Sequence, residues 1–192
     1  MQDRMTVHLI ALGANSRESR TANARNVARA GQALRARFGT ATKLSSLYAT
    51  PAWPPSSGPD FVNAAAYLRA DISATQMLAA LHQIEGRFGR VRGVRWGVRS
   101  LDLDLLASGQ RVLPDVATSS YWRALPPNRQ RVDAPETLIL PHPRLQDRGF
   151  VLIPLSEVAP QWRHPLTGRS VAAMNVALPA RARAGIRRLG PI

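Results

Sequence analysis

The residue pattern predicts an α/β domain of the α+β kind, and three observations carry that expectation. The apolar run 7–12 is short, has the composition of a buried strand, and ends in the turn-forming Gly13-Ala14-Asn15-Ser16. Ser73-Ala74-Thr75-Gln76 has the form of a capping box, and Met77, Leu81, Ile84 and Phe88 follow at helical spacing. Leucine and aspartate alternate through Leu101-Asp102-Leu103-Asp104-Leu105, the period of a strand with one apolar and one acidic face.

The first strand leads into a helix over 20–37, in which Val27, Ala30, Leu34 and Phe38 mark a buried stripe that Gly39 stops. A second strand is expected at 44–50, a proline- and serine-rich loop at 52–59, and a third strand at 61–68. After the capped helix, residues 89–98 form a glycine- and arginine-containing loop before the Leu/Asp strand. Gly109 is expected to turn the chain into a short partner strand around Val112. The order is thus βαββαβ, the ferredoxin-like arrangement, with an antiparallel sheet, flanking helices and extra C-terminal helices.

Residues 1–180 are expected to form one domain, interrupted by a long loop at 116–137 of the length typical of lids. A helix kinked by Pro154 is expected over 150–158, then a turn at Thr167-Gly168 and a short helix near 171–178. The basic stretch 181–192 reads as a flexible tail.

The chain has 192 residues, a formal charge of +14 and no cysteine, so disulfides and thiolate metal sites are excluded. Lys43 is the only lysine, and the arginines are spread along the chain without regular interleaving by aromatics. That distribution argues against nucleic acid as the main partner and leaves small anionic molecules as the expected ligands. No run is long enough to span a membrane, so the expected setting is the cytoplasm and the expected state a monomer.

On a strand, Asp102 and Asp104 project from the same face, where their like charges repel unless something cationic lies between them. Hard divalent ions such as Mg²⁺ take carboxylate oxygens together with substrate phosphates, and the arginines just upstream supply further positive charge. The plainer alternative is a half-exposed strand with a solvated acidic face.

Five segments read together narrow the choice: Gly13-Ala14-Asn15, Ala49-Thr50-Pro51, Phe61-Val62-Asn63-Ala64, residues 90–106, and Pro141-His142-Pro143-Arg144 with Arg148-Gly149-Phe150. Their order and spacing resemble the 6-hydroxymethyl-7,8-dihydropterin pyrophosphokinase family from about residue 7 to residue 160, outside the long loop. Arg95-Trp96-Gly97-Val98-Arg99-Ser100-Leu101-Asp102-Leu103-Asp104-Leu105-Leu106 carries most of the likeness. The resemblance implies transfer of a pyrophosphoryl group from the co-substrate ATP to the hydroxymethyl oxygen of the pterin. It implies two Mg²⁺ ions on Asp102 and Asp104, with Arg90 and Arg99 also counted as catalytic. Glu85, Arg90, Arg92, Arg99, His142 and Arg148 would contact ATP. Thr50, Pro51, Phe61, Asn63, Trp96 and Phe150 would hold the pterin, with the two phenylalanines sandwiching its ring.

The chain departs from the family pattern at Val98, where a small residue or proline is usual, and in the length of 116–137. There is no Gly-x-x-x-x-Gly-Lys-Ser/Thr, so phosphate binding rests on arginine and metal. No side chain stands out as a general base. Two rivals remain from the residues alone: a catalytically silent interaction scaffold and a basic nucleic-acid-binding module.

Overall fold

In the computed structural model, which describes residues 5–52, 58–89 and 99–192, the first apolar run lies in a strand buried on both faces. This strand, β1 (Thr6–Ala14), turns Ile10, Leu12 and Ala14 to one face and Leu9 to the other. Helix α1 (Arg20–Phe38) starts at Ser19, whose hydroxyl accepts the Ala22 N–H, and ends at Gly39 with a positive φ of 93°.

The strand expected at 44–50 is instead two short pieces, β2 (Lys43–Leu44) and β3 (Leu47–Thr50). Two serines make the break. Ser45 Oγ accepts the Ala65 N–H at 2.8 Å in place of a ladder carbonyl, and the Ser46 N–H turns away to Glu157 Oε2 at 2.6 Å. Strand β4 (Phe61–Ala70) follows, and then α2 (Ala74–Arg87), whose capping box between Ser73 and Gln76 is fully formed. Strand β5 (Asp102–Ser108) completes the βαββαβ core.

The strands form a six-stranded sheet in the order β5-β1-β4-β3, extended at the far edge by a C-terminal strand. Every strand pairing is antiparallel. A shift of register between Leu9 and Ile10 leaves Leu106 as the extra residue of β5, so the neighbours Leu106 and Ala107 both turn to the core opposite Leu105. One core lies under α1 and α2, where Val27, Leu34, Met77 and Leu81 pack on Ile10, Leu12 and Leu68. The other lies under α5 (Gly149–Val158) and α6 (Val171–Val176), where Leu152 and Leu155 meet Leu9, Ala65 and Leu106. Pro154 sits inside α5.

Three sequence-based expectations are corrected. Gly109 does turn the chain, at φ 59°, but no strand forms around Val112; Leu113 makes a single bridge to Leu140. The supposed loop at 116–137 contains two helices, α3 (Val116–Ala124) and α4 (Pro127–Val132). Asp115 caps α3 by accepting the Thr118 N–H at 2.8 Å, and buried Ser119 donates to the Leu113 carbonyl. Pro126 and Pro127 stand where helices tolerate proline, at the start of α4.

The third correction concerns the tail. Residues 181–192 are not a loose end: α7 (Ala180–Arg183) leads into β6 (Arg187–Gly190), which pairs with β3. Arg188 Nε donates to Ser46 Oγ at 3.0 Å and lies 3.5 Å from Glu157 Oε1. Burial opposes ionisation of Glu157, but donation by the Tyr48 hydroxyl and the Ser46 N–H outweighs it and holds its pKa below the ordinary value. Burial and the same hydrogen bond push Tyr48 up to about 12. Ile192 packs against the α1 core, beside Gly31.

Candidate active site

The face of the sheet that carries α5 is polar at one end, where the C-terminal end of β1 meets the N-terminal ends of β4 and β5. Register explains the grouping. Gly13 of β1 pairs with Asn63 on one side and with Asp102 on the other, while Asp104 stands opposite Ala11. Residues directly opposite in an antiparallel sheet share a face, so Asn63 and Asp102 flank Gly13 on one surface. Two residues along β5, Asp104 joins them. The leucines that follow each acid, Leu103 and Leu105, are buried in the α1/α2 core and anchor the strand.

Gly13 is needed for more than a turn. A side-chain carbon placed on it would lie 2.7 Å from Asn63 Oδ1, so the bare backbone is what lets the amide lie across β1. Asn63 Nδ2 donates to Thr50 Oγ1 at 2.7 Å, and Thr50 pairs in turn with Phe61. Thr50, Phe61 and Asn63 therefore form one surface, with the amide held by a buried hydrogen bond. Gly13→Ala is expected to displace that amide. It should raise the KM for a ligand bound on this surface about tenfold with little change in folding, checked by steady-state kinetics beside a thermal melt.

Arg99 forms an ion pair with Asp102, whose side chain is 15% exposed. The segment that carries Arg99 is tied down by two asparagines that sequence reading did not assign to the site. Asn15 Oδ1 accepts the Arg99 N–H at 2.8 Å while the Asn15 N–H donates to the Arg99 carbonyl, and Asn26 Nδ2 donates to the Ser100 carbonyl. The usable signal was Asn15 itself, a residue with both donor and acceptor beside a glycine at a strand end.

The wall opposite the aspartates comes from the start of α5 and the loop before it. Burial lowers the pKa of Arg148 from its ordinary value, and the carboxylates of Asp104 and Asp102 oppose that shift. The guanidinium lies 5.5 Å from the centre of the half-buried Phe150 ring. The His142 N–H donates to the Leu106 carbonyl of β5, and its Nδ1 accepts the Arg144 N–H at 3.0 Å. With Nδ1 an acceptor, the neutral ring carries its proton on Nε2. Burial, then the nearby Arg148 and Arg144, push the imidazole down to about 3. His142 therefore offers a neutral N–H donor near pH 7.

Burial likewise lowers His8, and lowers His164 to about 4 with help from Arg123. In the unfolded chain these three imidazoles take up protons around their ordinary value of 6.5. The folded chain does so only at lower pH, so the unfolded state binds more protons below about 6.5 and stability falls with acidification. The melting temperature should therefore be lower at pH 5 than at pH 7.5. A flat profile across that interval would show that the imidazoles titrate normally.

Glu85, expected at the nucleotide, also supports the sheet. It is 3% exposed, and its Oε1 accepts the Leu103 N–H at 2.7 Å. β5 is an edge strand of the sheet, so this carboxylate on α2 satisfies a backbone donor at the outer edge of the strand between the two aspartates. Arg90, Arg92 and Trp96, together with Val98, lie outside the described residues. No cluster of three or more His, Cys, Asp or Glu suited to a metal occurs among the described residues. Any ion here would take the two aspartates from the protein and its other donors from elsewhere.

Fold and site together define a ferredoxin-like domain with an acidic pair faced by arginine, next to a surface of amide, hydroxyl and aromatic groups. The model of the 7,8-dihydro-6-hydroxymethylpterin-pyrophosphokinase (HPPK) family matches residues 9–160, and the chain belongs to that family. The 2-amino-4-hydroxy-6-hydroxymethyldihydropteridine pyrophosphokinase of Pseudomonas aeruginosa is 37% identical over 76% of this chain and 75% of its own length. The protein of the same name from Synechocystis sp. is 36% identical over 67% of this chain, but the match spans only 55% of that relative. Among solved structures, wild-type HPPK-DHPS of Plasmodium falciparum superposes with a TM-score of 0.66, covering 97% of this chain and 48% of that one. At 13% identity this likeness speaks for the fold. No helix among the described residues is long and apolar enough to cross a membrane.

Proposed function

We propose that the protein transfers a pyrophosphoryl group from ATP to 6-hydroxymethyl-7,8-dihydropterin, giving the dihydropterin diphosphate and AMP in folate biosynthesis. The observation that carries this reading is the row across the sheet, with Asn63 and Asp102 flanking Gly13. It sets a surface suited to a flat, hydrogen-bonding ring beside a surface suited to metal and phosphate. Family membership and the names of the relatives support the same reaction.

In the reaction the hydroxymethyl oxygen forms a bond to the β-phosphorus, the bond from that phosphorus to the α,β-bridging oxygen breaks, and AMP leaves. The hydroxyl proton is released to solvent. Mg²⁺, with Asp102 and Asp104 as its protein ligands, would neutralise phosphate charge and favour loss of that proton. Two carboxylates suit this ion, which keeps most of its positions for water and phosphate oxygens. Arg99 and Arg148 supply guanidinium forks for phosphate oxygens, and His142 adds a neutral donor. Arg90 and Arg92 would contribute further arginine contacts. Thr50 and Asn63 orient the pterin edge, Phe61 and Phe150 offer ring faces, and Pro51 adds to the pocket, which Trp96 would complete. The protein acts as a monomer in the cytoplasm on these two small molecules, with nucleic acid and membrane playing no part.

The test is release of AMP from ATP with and without the hydroxymethyl-dihydropterin. AMP should form only when both substrates and Mg²⁺ are present, and EDTA should stop it until Mg²⁺ is restored. Absence of AMP under these conditions would leave a scaffold, and tight salt-sensitive binding of oligonucleotides instead would favour the nucleic-acid module.

A further inference from the structure

The C-terminal segment lies beyond the family match, which ends at residue 160, yet it reaches the acceptor side of the site. Gly185, at φ 73°, lies against Pro51: a side-chain carbon on this glycine would be 2.6 Å from Pro51 Cγ. A few residues earlier, the Ala182 carbonyl abuts Gly149, where a side-chain carbon would lie 1.9 Å from the oxygen and 3.1 Å from Ile186 Cδ1. Gly149 sits between Arg148 and Phe150 at the start of α5, and Pro51 follows directly on Thr50 at the end of β3. One short stretch, 182–186, thus touches both flanks of the same pocket.

The stretch is itself held at each end. At its start, Arg183 donates to the carbonyl of Asn175 in α6. Downstream, β6 pairs with β3 through Arg187 opposite Ala49 and Arg188 opposite Tyr48. Arg188 and Tyr48 both engage Glu157 of α5, so strand, helix and C-terminal segment share one carboxylate. Both close approaches occur at glycines, where backbone or ring contact leaves no room for a side chain.

We propose that residues 180–192 are a positioning strap for the acceptor pocket, setting the spacing between the Thr50–Pro51 wall and the Phe150 wall. The proposal rests on the pterin assignment of that pocket, and it adds Gly185, Ile186 and Gly149 as residues that act through Pro51 and Phe150. Gly185 approaches Pro51 on the acceptor wall, so substitution at Gly185 is expected to act on the acceptor before ATP.

The experiment compares the full chain with Gly185→Ala, Gly185→Val, Ile186→Ala and a deletion of 180–192, using Val116→Ala on the exposed surface of α3 as control. KM for ATP, KM and kcat for the pterin, direct pterin binding by its fluorescence, and the melting temperature are all measured. Gly185→Val should raise pterin KM and dissociation constant about tenfold or more, Gly185→Ala less, with KM for ATP within about twofold of the parent. Should the deletion fail to fold, the point variants decide. The strap is refuted if both substrates' constants move together, or if neither moves in a folded Gly185→Val protein. A parent chain that neither binds the pterin nor releases AMP with it refutes the pterin assignment itself, a result distinct from an active parent whose variants are unaffected.

Discussion

Asp102→Ala and Asp104→Ala should each lower kcat/KM by about 10³-fold or more while leaving the melting temperature nearly unchanged. The asymmetry follows from where the two side chains stand. Their backbone is anchored by Leu103 and Leu105 in the α1/α2 core, so the strand keeps its place when a carboxylate is removed. Asp102 is paired with Arg99, whose side chain is 30% exposed and can return to water when its partner is lost. Against this small structural cost stands the loss of one of the two carboxylates that this face of β5 offers a divalent ion. Steady-state AMP release over a range of Mg²⁺ concentrations measures the effect, and higher Mg²⁺ should recover part of the lost rate. A variant with near-parental turnover would remove the metal role from that residue.

Glu85→Ala should act in the opposite proportion, as a stability lesion first and a catalytic lesion second. The substitution leaves the Leu103 N–H without its acceptor at a buried site, at a cost of about 1–3 kcal/mol. For a chain of this size that corresponds to a fall of roughly 3–10 °C in melting temperature. The strand whose backbone is released bears both aspartates, so kcat should drop about 10–100-fold, as when the supports of metal ligands are removed. Glu85→Gln keeps an acceptor oxygen and should recover most of the melt and much of the rate. A Glu85→Ala protein with an unchanged melt and a raised KM for ATP would show instead that this carboxylate meets the nucleotide directly.

The histidine, the arginines and the aspartates stand out in the sequence as candidates, because polar residues between apolar neighbours or prolines break the pattern. Glu85 illustrates the limit of that reading. Nothing local distinguishes a helix glutamate that reaches ligand from one that satisfies an edge-strand amide, and the choice depends on how α2 packs against β5. Asn15 was legible as a turn residue and illegible as a clamp on Arg99, which lies 84 positions further along the chain. The helices at 116–132 were hidden by prolines, which are read as breakers although Pro127 opens a helix. The tail was misread for a related reason: basic composition suggested a solvated end, whereas pairing with β3 supplies partners for its backbone.

By itself the sequence determined the alternation of leucine and aspartate, the capped helix after Ser73, and the βαββαβ order, because each depends on residues within a few positions of one another. Only the tertiary structure decided that Gly13 lies between Asn63 and Asp102, that Glu85 holds the backbone of β5, and that the last residues brace Pro51 and Gly149. Those relations join segments far apart in the chain. Strand register and helix packing create them, and both are settled by burial of two cores at once rather than by local preference.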